Sequence, residues 1–288
     1  MKGIVAAVPT PIDAQGRFLG AAFVEHARWG LANGCDGLNV LGSTGEANSL
    51  DAGTRRMVMT HAAEALDRRR LMVGTGTPSI DETIGLTRHA DDLGYPVALV
   101  LPPYYYTLPS EEGLIAWYLA LHAALGDRPI RVWFYNFPQM TGFVIPEAVI
   151  AHLHAVAPQR FDGIKDSSGD LSYCRSLVSR LPGLQVFPSS ETTLAEGRRD
   201  GFAGCISATA NHTAPICARL WRGETGLAPR LAELRAAISA CPLIPAVKYL
   251  VARRTANPEW QNVLPPFTAL GASAIASLDR LASERVAA

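Results

Sequence analysis

Val132-Trp-Phe-Tyr-Asn-Phe-Pro138 is an apolar run that ends on a tyrosine and an asparagine shortly before a proline. A second run, Phe161-Asp-Gly-Ile-Lys-Asp-Ser167, reaches Lys165 thirty residues after Tyr135. Both runs are short, aromatic or aliphatic, and stop at polar residues, as buried strands do. If they are neighbouring parallel strands, their last residues lie about 5 Å apart across the sheet. An amine and a phenol can then share one substrate, which is equipment for imine chemistry.

Working outward, comparable runs occur at residues 3–8, 36–41, 71–74, 97–101, 131–135, 161–164, 184–187 and 203–206. Amphipathic stretches of helical length separate them, at 21–33, 51–68, 79–93, 111–125, 146–157, 170–181 and 191–200, several closed by glycine. Eight strand-and-helix repeats predict a parallel sheet closed on itself, an α/β protein with a (β/α)8 TIM barrel. The barrel is expected over 1–212. Residues 213–288 read as the last barrel helix and a C-terminal helical extension, packed as one unit with the barrel and broken at Pro242, Pro245, Pro258 and Pro265-Pro266.

Composition narrows the partners. The chain has 288 residues, 48% apolar and 18% charged, with 26 basic side chains against 26 acidic ones. No long-range field then favours nucleic acid or an anionic membrane. The longest apolar runs, such as Val97-Ala-Leu-Val-Leu101, fall far short of the roughly 20 residues of a membrane helix. Lys2 and the run to Val8 are too short for a secretion signal and read as the first strand. Five scattered cysteines with no Cys-x-x-Cys pair point to a reducing, cytoplasmic setting. Seven histidines include no His-Glu-x-x-His, so no metal is expected. Gly74-Thr-Gly-Thr-Pro78 lacks the third glycine and the following acid of a dinucleotide site, and no cofactor is expected.

In such a barrel the loops after the strands share one face, and that face carries the chemistry. Here they bring Gly42-Ser-Thr-Gly-Glu46, Pro102-Pro-Tyr-Tyr-Tyr106, Tyr135-Asn136, Lys165-Asp-Ser167, Ser189-Ser-Glu191 and Ser207-Ala-Thr209. Lys165 closes a strand buried on both sides, where desolvation disfavours the ammonium form and a neutral amine can attack a ketone. The competing account is a salt bridge to Asp166 or another acid on the rim. Tyr135 can give and accept a proton, or simply be a core aromatic. The 42–46 turn offers the hydroxyls of Ser43 and Thr44 and backbone N–H groups to an anion, or is a plain strand-to-helix turn. Tyr104, Tyr105 and Tyr106 expose apolar area unless a neighbouring subunit or the barrel rim covers them.

Taken together, Gly42-Ser-Thr-Gly-Glu46, Pro103-Tyr-Tyr105, Tyr135-Asn-Phe-Pro138 and Gly163-Ile-Lys165 resemble the pyruvate-dependent class I aldolases of the N-acetylneuraminate lyase and dihydrodipicolinate synthase family. The resemblance implies that Lys165 forms a Schiff base with the keto carbon of pyruvate or another 2-oxo acid. It also implies that Tyr135 relays protons, that Ser43 and Thr44 hold the carboxylate, and that Tyr105 reaches a neighbour's site to join Thr44 and Tyr135. The last point implies a homotetramer, or at least a dimer.

Within the family, Met140 stands where dihydrodipicolinate synthases place an arginine for a second carboxylate, and a thioether cannot donate to one. Sialic acid lyases carry an acidic pair where this chain has Glu191-Thr192. Tyr135-Asn-Phe-Pro with Lys165-Asp166 looks more like 2-keto-3-deoxygluconate aldolases and 4-hydroxy-2-oxoglutarate aldolases. Ser167, Ser189 and Glu191 are then expected to bind a hydroxylated aldehyde, and Ile206 and Ser207 complete the substrate-binding set. The implied activity is cleavage of a 2-keto-3-deoxy sugar acid to pyruvate and an aldehyde. Sugar acid dehydration or 4-hydroxy-2-oxoglutarate cleavage within the same family, and then dihydrodipicolinate synthesis, N-acetylneuraminate cleavage and a non-catalytic 2-oxo acid sensor, are the alternatives.

Overall fold

Period-two alternation sorts the strand residues into two populations. Val5, Ala7, Met72, Val97, Leu99, Trp133, Tyr135, Phe187 and Ile206 form one buried cluster. Their strand neighbours Ile4, Ala6, Val73, Ala98, Val100, Val132, Phe134, Ile164, Val186 and Cys205 belong to a second, larger one. A strand buried on both faces does this when one face fills a barrel and the other meets a layer of helices.

The computed structural model describes residues 1–106 and 109–283. Strands and helices alternate: β1 Gly3–Ala7, α1 Gly20–Ala32, β2 Gly37–Val40, α2 Ala52–Ala65, β3 Leu71–Gly74, α3 Ile80–Asp92, β4 Val97–Val100, α4 Glu111–Leu125 and β5 Arg131–Asn136. A short α5 Pro138–Thr141 precedes α6 Glu147–Val156, then β6 Gly163–Asp166, α7 Leu171–Arg180, β7 Gln185–Pro188, α8 Leu194–Gly197, β8 Gly204–Ser207 and α9 Ala210–Trp221. Beyond them lie α10 Ala228–Ser239, α11 Leu243–Thr255 and α12 Ala272–Ser283. The eight strands run parallel in the order β7-β6-β5-β4-β3-β2-β1-β8. The ring is drawn shut where the Ala203 N–H donates to Val186 O at 2.9 Å. This is a TIM barrel with C-terminal helices, as the spacing predicts.

Caps in the sequence set several helix starts. Asp51, Ser79, Ser110 and Asp170 each accept a hydrogen bond from a backbone N–H of the first turn of α2, α3, α4 and α7. The stretch expected as a helix at 191–200 is instead a 3₁₀ turn, Glu191–Thr193, running into the short α8. There the Thr193 hydroxyl donates to Ser190 O and the Ser190 hydroxyl accepts from Thr192 N–H, local bonds that compete with a regular helix. Strand β6 begins at Gly163, two residues later than expected, and runs through Lys165 to Asp166. Its first residue must be glycine: a Cβ there would sit 2.4 Å from the Trp133 ring, which fills the barrel interior and stacks on Phe187.

Among the described residues no single helix is long and apolar enough to cross a membrane.

Candidate active site

Tyr135 and Lys165 are register partners across β5 and β6. Both side chains point into the barrel mouth, both are buried, and Lys165 Nζ donates to Tyr135 Oη at 3.1 Å. Lys165 Nζ also lies 4.3 Å from the centroid of the tyrosine ring. Asp166, the alternative partner for Lys165, is occupied elsewhere: it accepts from Asn136 Nδ2 at 2.7 Å and from the Ser168 hydroxyl at 2.8 Å. Those bonds pin the ends of β5 and β6 together, and Asn136 Oδ1 in turn accepts from the Ile145 N–H. Among the described residues Lys165 makes no ion pair, so the salt-bridge account of it fails.

The loop after β2 supplies the next wall. Leu41 and Glu46, on either side of Gly42-Ser-Thr-Gly45, both hold left-handed backbone, with φ of 54° and 55°. Such strain costs on the order of 1 kcal/mol or more per residue and persists only where the surroundings enforce it. Two contacts enforce it here. Gly74 on β3 lets the loop descend, since a Cβ there would lie 2.1 Å from Leu41 O. Glu46 is held by Lys248 of α11 in a buried ion pair of 2.5 Å and by the Leu264 N–H at 2.7 Å. Burial lowers the pKa of Lys248, and the Glu46 carboxylate opposes that shift.

The strained loop brings the Ser43 hydroxyl to 3.3 Å from Tyr135 Oη. Thr44 lies on the same cavity wall, but among the described residues the hydroxyl bonded to Tyr135 is that of Ser43, not Thr44.

These groups open into one cavity of about 450 Å³. Of the expected residues, Ser43, Thr44, Tyr135, Lys165, Ser167, Ser189 and Ile206 line it. Three do not. Glu191 is fully buried behind the wall, where a bare carboxylate would be very costly. Its oxygens take hydrogen bonds from the hydroxyls of Ser207, Thr209 and Thr213 and an ion pair from Arg235. Ser207 is spent in the same cluster and is 1% exposed. The expectation that Glu191 and Ser207 touch substrate directly is therefore corrected: they brace the wall from behind. Tyr105 is 82% exposed and stacks edge-on against Tyr106, away from the cavity, so it completes no relay with Thr44 and Tyr135 of its own chain.

Several lining residues escape a reading of the strand ends alone. Arg235, Leu243, Ile244 and Phe267 come from the helices and loops after the barrel, and Phe137, Gln139 and Met140 from α5 and the residue before it. The arrangement provides a buried amine, a phenol within proton-transfer distance of it, neutral donors beside both, and space for a small molecule.

The profile of the dihydrodipicolinate synthetase family matches residues 1–283 of this chain. The chain belongs to that family. A DapA-like lyase of Chloroflexus aurantiacus, itself uncharacterised, is 31% identical over 301 residues, which span 100% of this chain and 97% of the relative. A 4-hydroxy-tetrahydrodipicolinate synthase of Rhodospirillum centenum is 35% identical over 241 residues, 81% of this chain and 80% of that one. Among solved structures, dihydrodipicolinate synthase from Agrobacterium tumefaciens superposes with a TM-score of 0.89 at 29% identity, covering 98% of both chains. A prophage protein of E. coli K12 from the same family, solved with pyruvate, gives 0.89 at 26% identity and the same coverage. As a member of the dihydrodipicolinate synthetase family, the protein is an enzyme of the Schiff-base-forming class I lyase type.

Proposed function

We propose that the enzyme cleaves a 2-keto-3-deoxy sugar acid into pyruvate and an aldehyde, and runs the reverse condensation, through an imine on Lys165. The observation that carries this reading is the buried Lys165 Nζ, 3.1 Å from Tyr135 Oη on the wall of a cavity of about 450 Å³.

The steps follow from that pair. The neutral amine of Lys165 adds to C2 of the substrate, and Tyr135 delivers the proton that lets the carbinolamine lose water. The resulting iminium draws electrons from the C3–C4 bond as the C4 hydroxyl gives its proton to the Tyr135 oxygen. The bond breaks, the aldehyde leaves, and an enamine remains on Lys165. Protonation at C3 and addition of water to the imine carbon then release pyruvate and restore the amine. No oxidant or cofactor enters this balance. The Ser43 and Thr44 hydroxyls hold the carboxylate throughout, with Ser43 also linking it to the Tyr135 oxygen.

Met140 argues against the mode of tetrahydrodipicolinate synthesis in which the aldehyde's carboxylate is held from position 140. It stands on the cavity wall, 64% exposed, where a thioether cannot donate to the carboxylate of an incoming aspartate semialdehyde. Ser167, Ser189 and Gln139, on the same wall, are available to substrate hydroxyls. We place the enzyme in the cytoplasm as a homotetramer in which Tyr105 of one subunit reaches the site of another. Its 82% exposure, with only Tyr106 packed against its ring among the described residues, supports that placement.

Incubation with 2-keto-3-deoxygluconate and with 4-hydroxy-2-oxoglutarate, scored by pyruvate release, tests the activity. Pyruvate formed at catalytic rates supports an aldolase. A 2-oxo acid of unchanged carbon skeleton identifies a dehydratase instead, and binding without turnover identifies a sensor.

A further inference from the structure

We infer that Arg235 forms a second carboxylate-binding subsite on the cavity wall, so that the preferred substrate is acidic at both ends. The inference rests on the imine reading above, because it takes Lys165 and the Ser43–Thr44 loop as the place of the first carboxylate.

Helix α10 buries Leu231, Leu234 and Ile238 along one stripe, and Arg235 sits at the edge of that stripe with its side chain 24% exposed on the cavity wall. One nitrogen is fully committed. Nη1 donates to Glu191 Oε2 at 2.5 Å, to the Thr209 hydroxyl oxygen at 2.9 Å and to the Ser207 hydroxyl oxygen at 3.1 Å. Both hydroxyls can accept because their own protons go to Glu191. Among the described residues, Nε and Nη2 have no hydrogen-bond partner. A guanidinium is a rigid planar fork, so fixing Nη1 also fixes the direction of the opposite Nε/Nη2 edge. Glu191 thus acts as a positioning residue, orienting the donors that remain.

The charge inventory of the wall points the same way. Its lining residues include two cations, Lys165 and Arg235, and no aspartate or glutamate. In the imine the Lys165 charge faces the reacting carbons, and the first carboxylate is served by hydroxyls. Arg235 is then left for a second anion. Leu243, Ile244 and Phe267 line the same cavity and add apolar surface to it, and a charge-assisted pair is stronger in an apolar setting. One guanidinium edge matches the two oxygens of a carboxylate. A phosphate dianion calls for more donors than this wall offers.

The test uses aldehydes matched in length and differing at the far end: glyoxylate against glycolaldehyde, and succinic semialdehyde against 4-hydroxybutanal, each condensed with pyruvate. The expected result is at least about a 30-fold higher kcat/KM for the acid of one pair, the scale of a two-bond charged contact. Arg235→Lys keeps a cation for Glu191 but removes the second edge, and it should erase tenfold or more of that preference. Borohydride capture of pyruvate at Lys165 in the variant reads the imine step separately from that preference. Because a lone change at Arg235 can strand the Glu191 carboxylate, the double variant Arg235→Met with Glu191→Gln should lose the same preference without leaving a buried charge.

Equal rates within both pairs, a preference that survives both variants, or a preference for glyceraldehyde 3-phosphate over succinic semialdehyde would overturn the subsite. If wild-type protein captures no pyruvate, the imine reading fails separately. The subsite is then read by titration calorimetry with glutarate and butanoate, where tighter glutarate binding lost in Arg235→Lys upholds it and equal binding overturns it.

Discussion

Glu46 and Lys248, 202 positions apart in the chain, meet in a buried ion pair of 2.5 Å that ties α11 to the loop carrying Ser43 and Thr44. The pair couples the helices after the barrel to the cavity wall, and it makes the loop sensitive to a residue that touches no substrate.

Lys248→Met strands the Glu46 carboxylate in an apolar setting and should cost about 3–5 kcal/mol of stability, as loss of one partner of a buried pair generally does. Adding Glu46→Gln removes the uncompensated charge and keeps an acceptor for the Leu264 N–H, so the double variant should regain most of that loss. Both should raise the KM for pyruvate as the loop relaxes. Chemical denaturation checks the first effect and steady-state kinetics the second. A Lys248→Met protein as stable as wild type would contradict the bracing role.

Tyr135→Phe removes the oxygen that meets Lys165 and Ser43 while keeping the ring in the barrel interior. Under the proposed mechanism kcat should fall by about 10²- to 10³-fold, the usual worth of a positioned proton carrier. Folding should hardly change. Comparable turnover in wild type and variant would remove the phenol from the proton path.

Acid should destabilise the fold through buried histidine. His26 accepts from Arg254 Nη2 at 2.6 Å and donates to Asn211 Oδ1 at 2.7 Å, and it is packed edge-on against Trp260. Burial first, and then the Arg254 charge, push its pKa down from 6.5 to about 3, with the Asn211 bond opposing. The unfolded chain therefore binds a proton below about 6.5 that the folded chain refuses until about 3, so stability falls as pH drops through that window and is level above it. Between pH 7 and pH 5 this one group should cost about 2 kcal/mol. His212, lowered by burial and then by Arg254 to about 4, acts in the same direction. Thermal melts at the two pH values should show the loss, and His26→Gln should show a smaller one. An unchanged pH slope in that variant would assign the acid sensitivity elsewhere.

The barrel and the Tyr135–Lys165 pair were legible in the sequence because both depend on spacing along the chain. Eight apolar runs at near-regular intervals leave few topologies open, and parallel register puts residues at matching strand ends side by side. Arg235, Glu191 and Lys248 were harder. Glu191 reads as a polar residue on a strand-end loop, yet Arg235, 44 positions further on, draws it behind the wall. Lys248 and Phe267 approach the site only once the helices after the barrel have packed, and no local pattern encodes that packing. The faint signal for Arg235 is a charge beside the apolar stripe of Leu231, Leu234 and Ile238. Tyr105 differs again: its side chain makes no contact with its own cavity, and its proposed role depends on a second subunit.

The central claim is that the amine of Lys165 bonds covalently to a 2-oxo acid. Incubating the protein with pyruvate and sodium borohydride, then locating the adduct by peptide mass spectrometry, tests it directly. The account predicts a single reduced pyruvyl adduct on Lys165, absent without pyruvate and absent in Lys165→Ala. A protein that carries no such mass, or carries it on another lysine, would contradict the account.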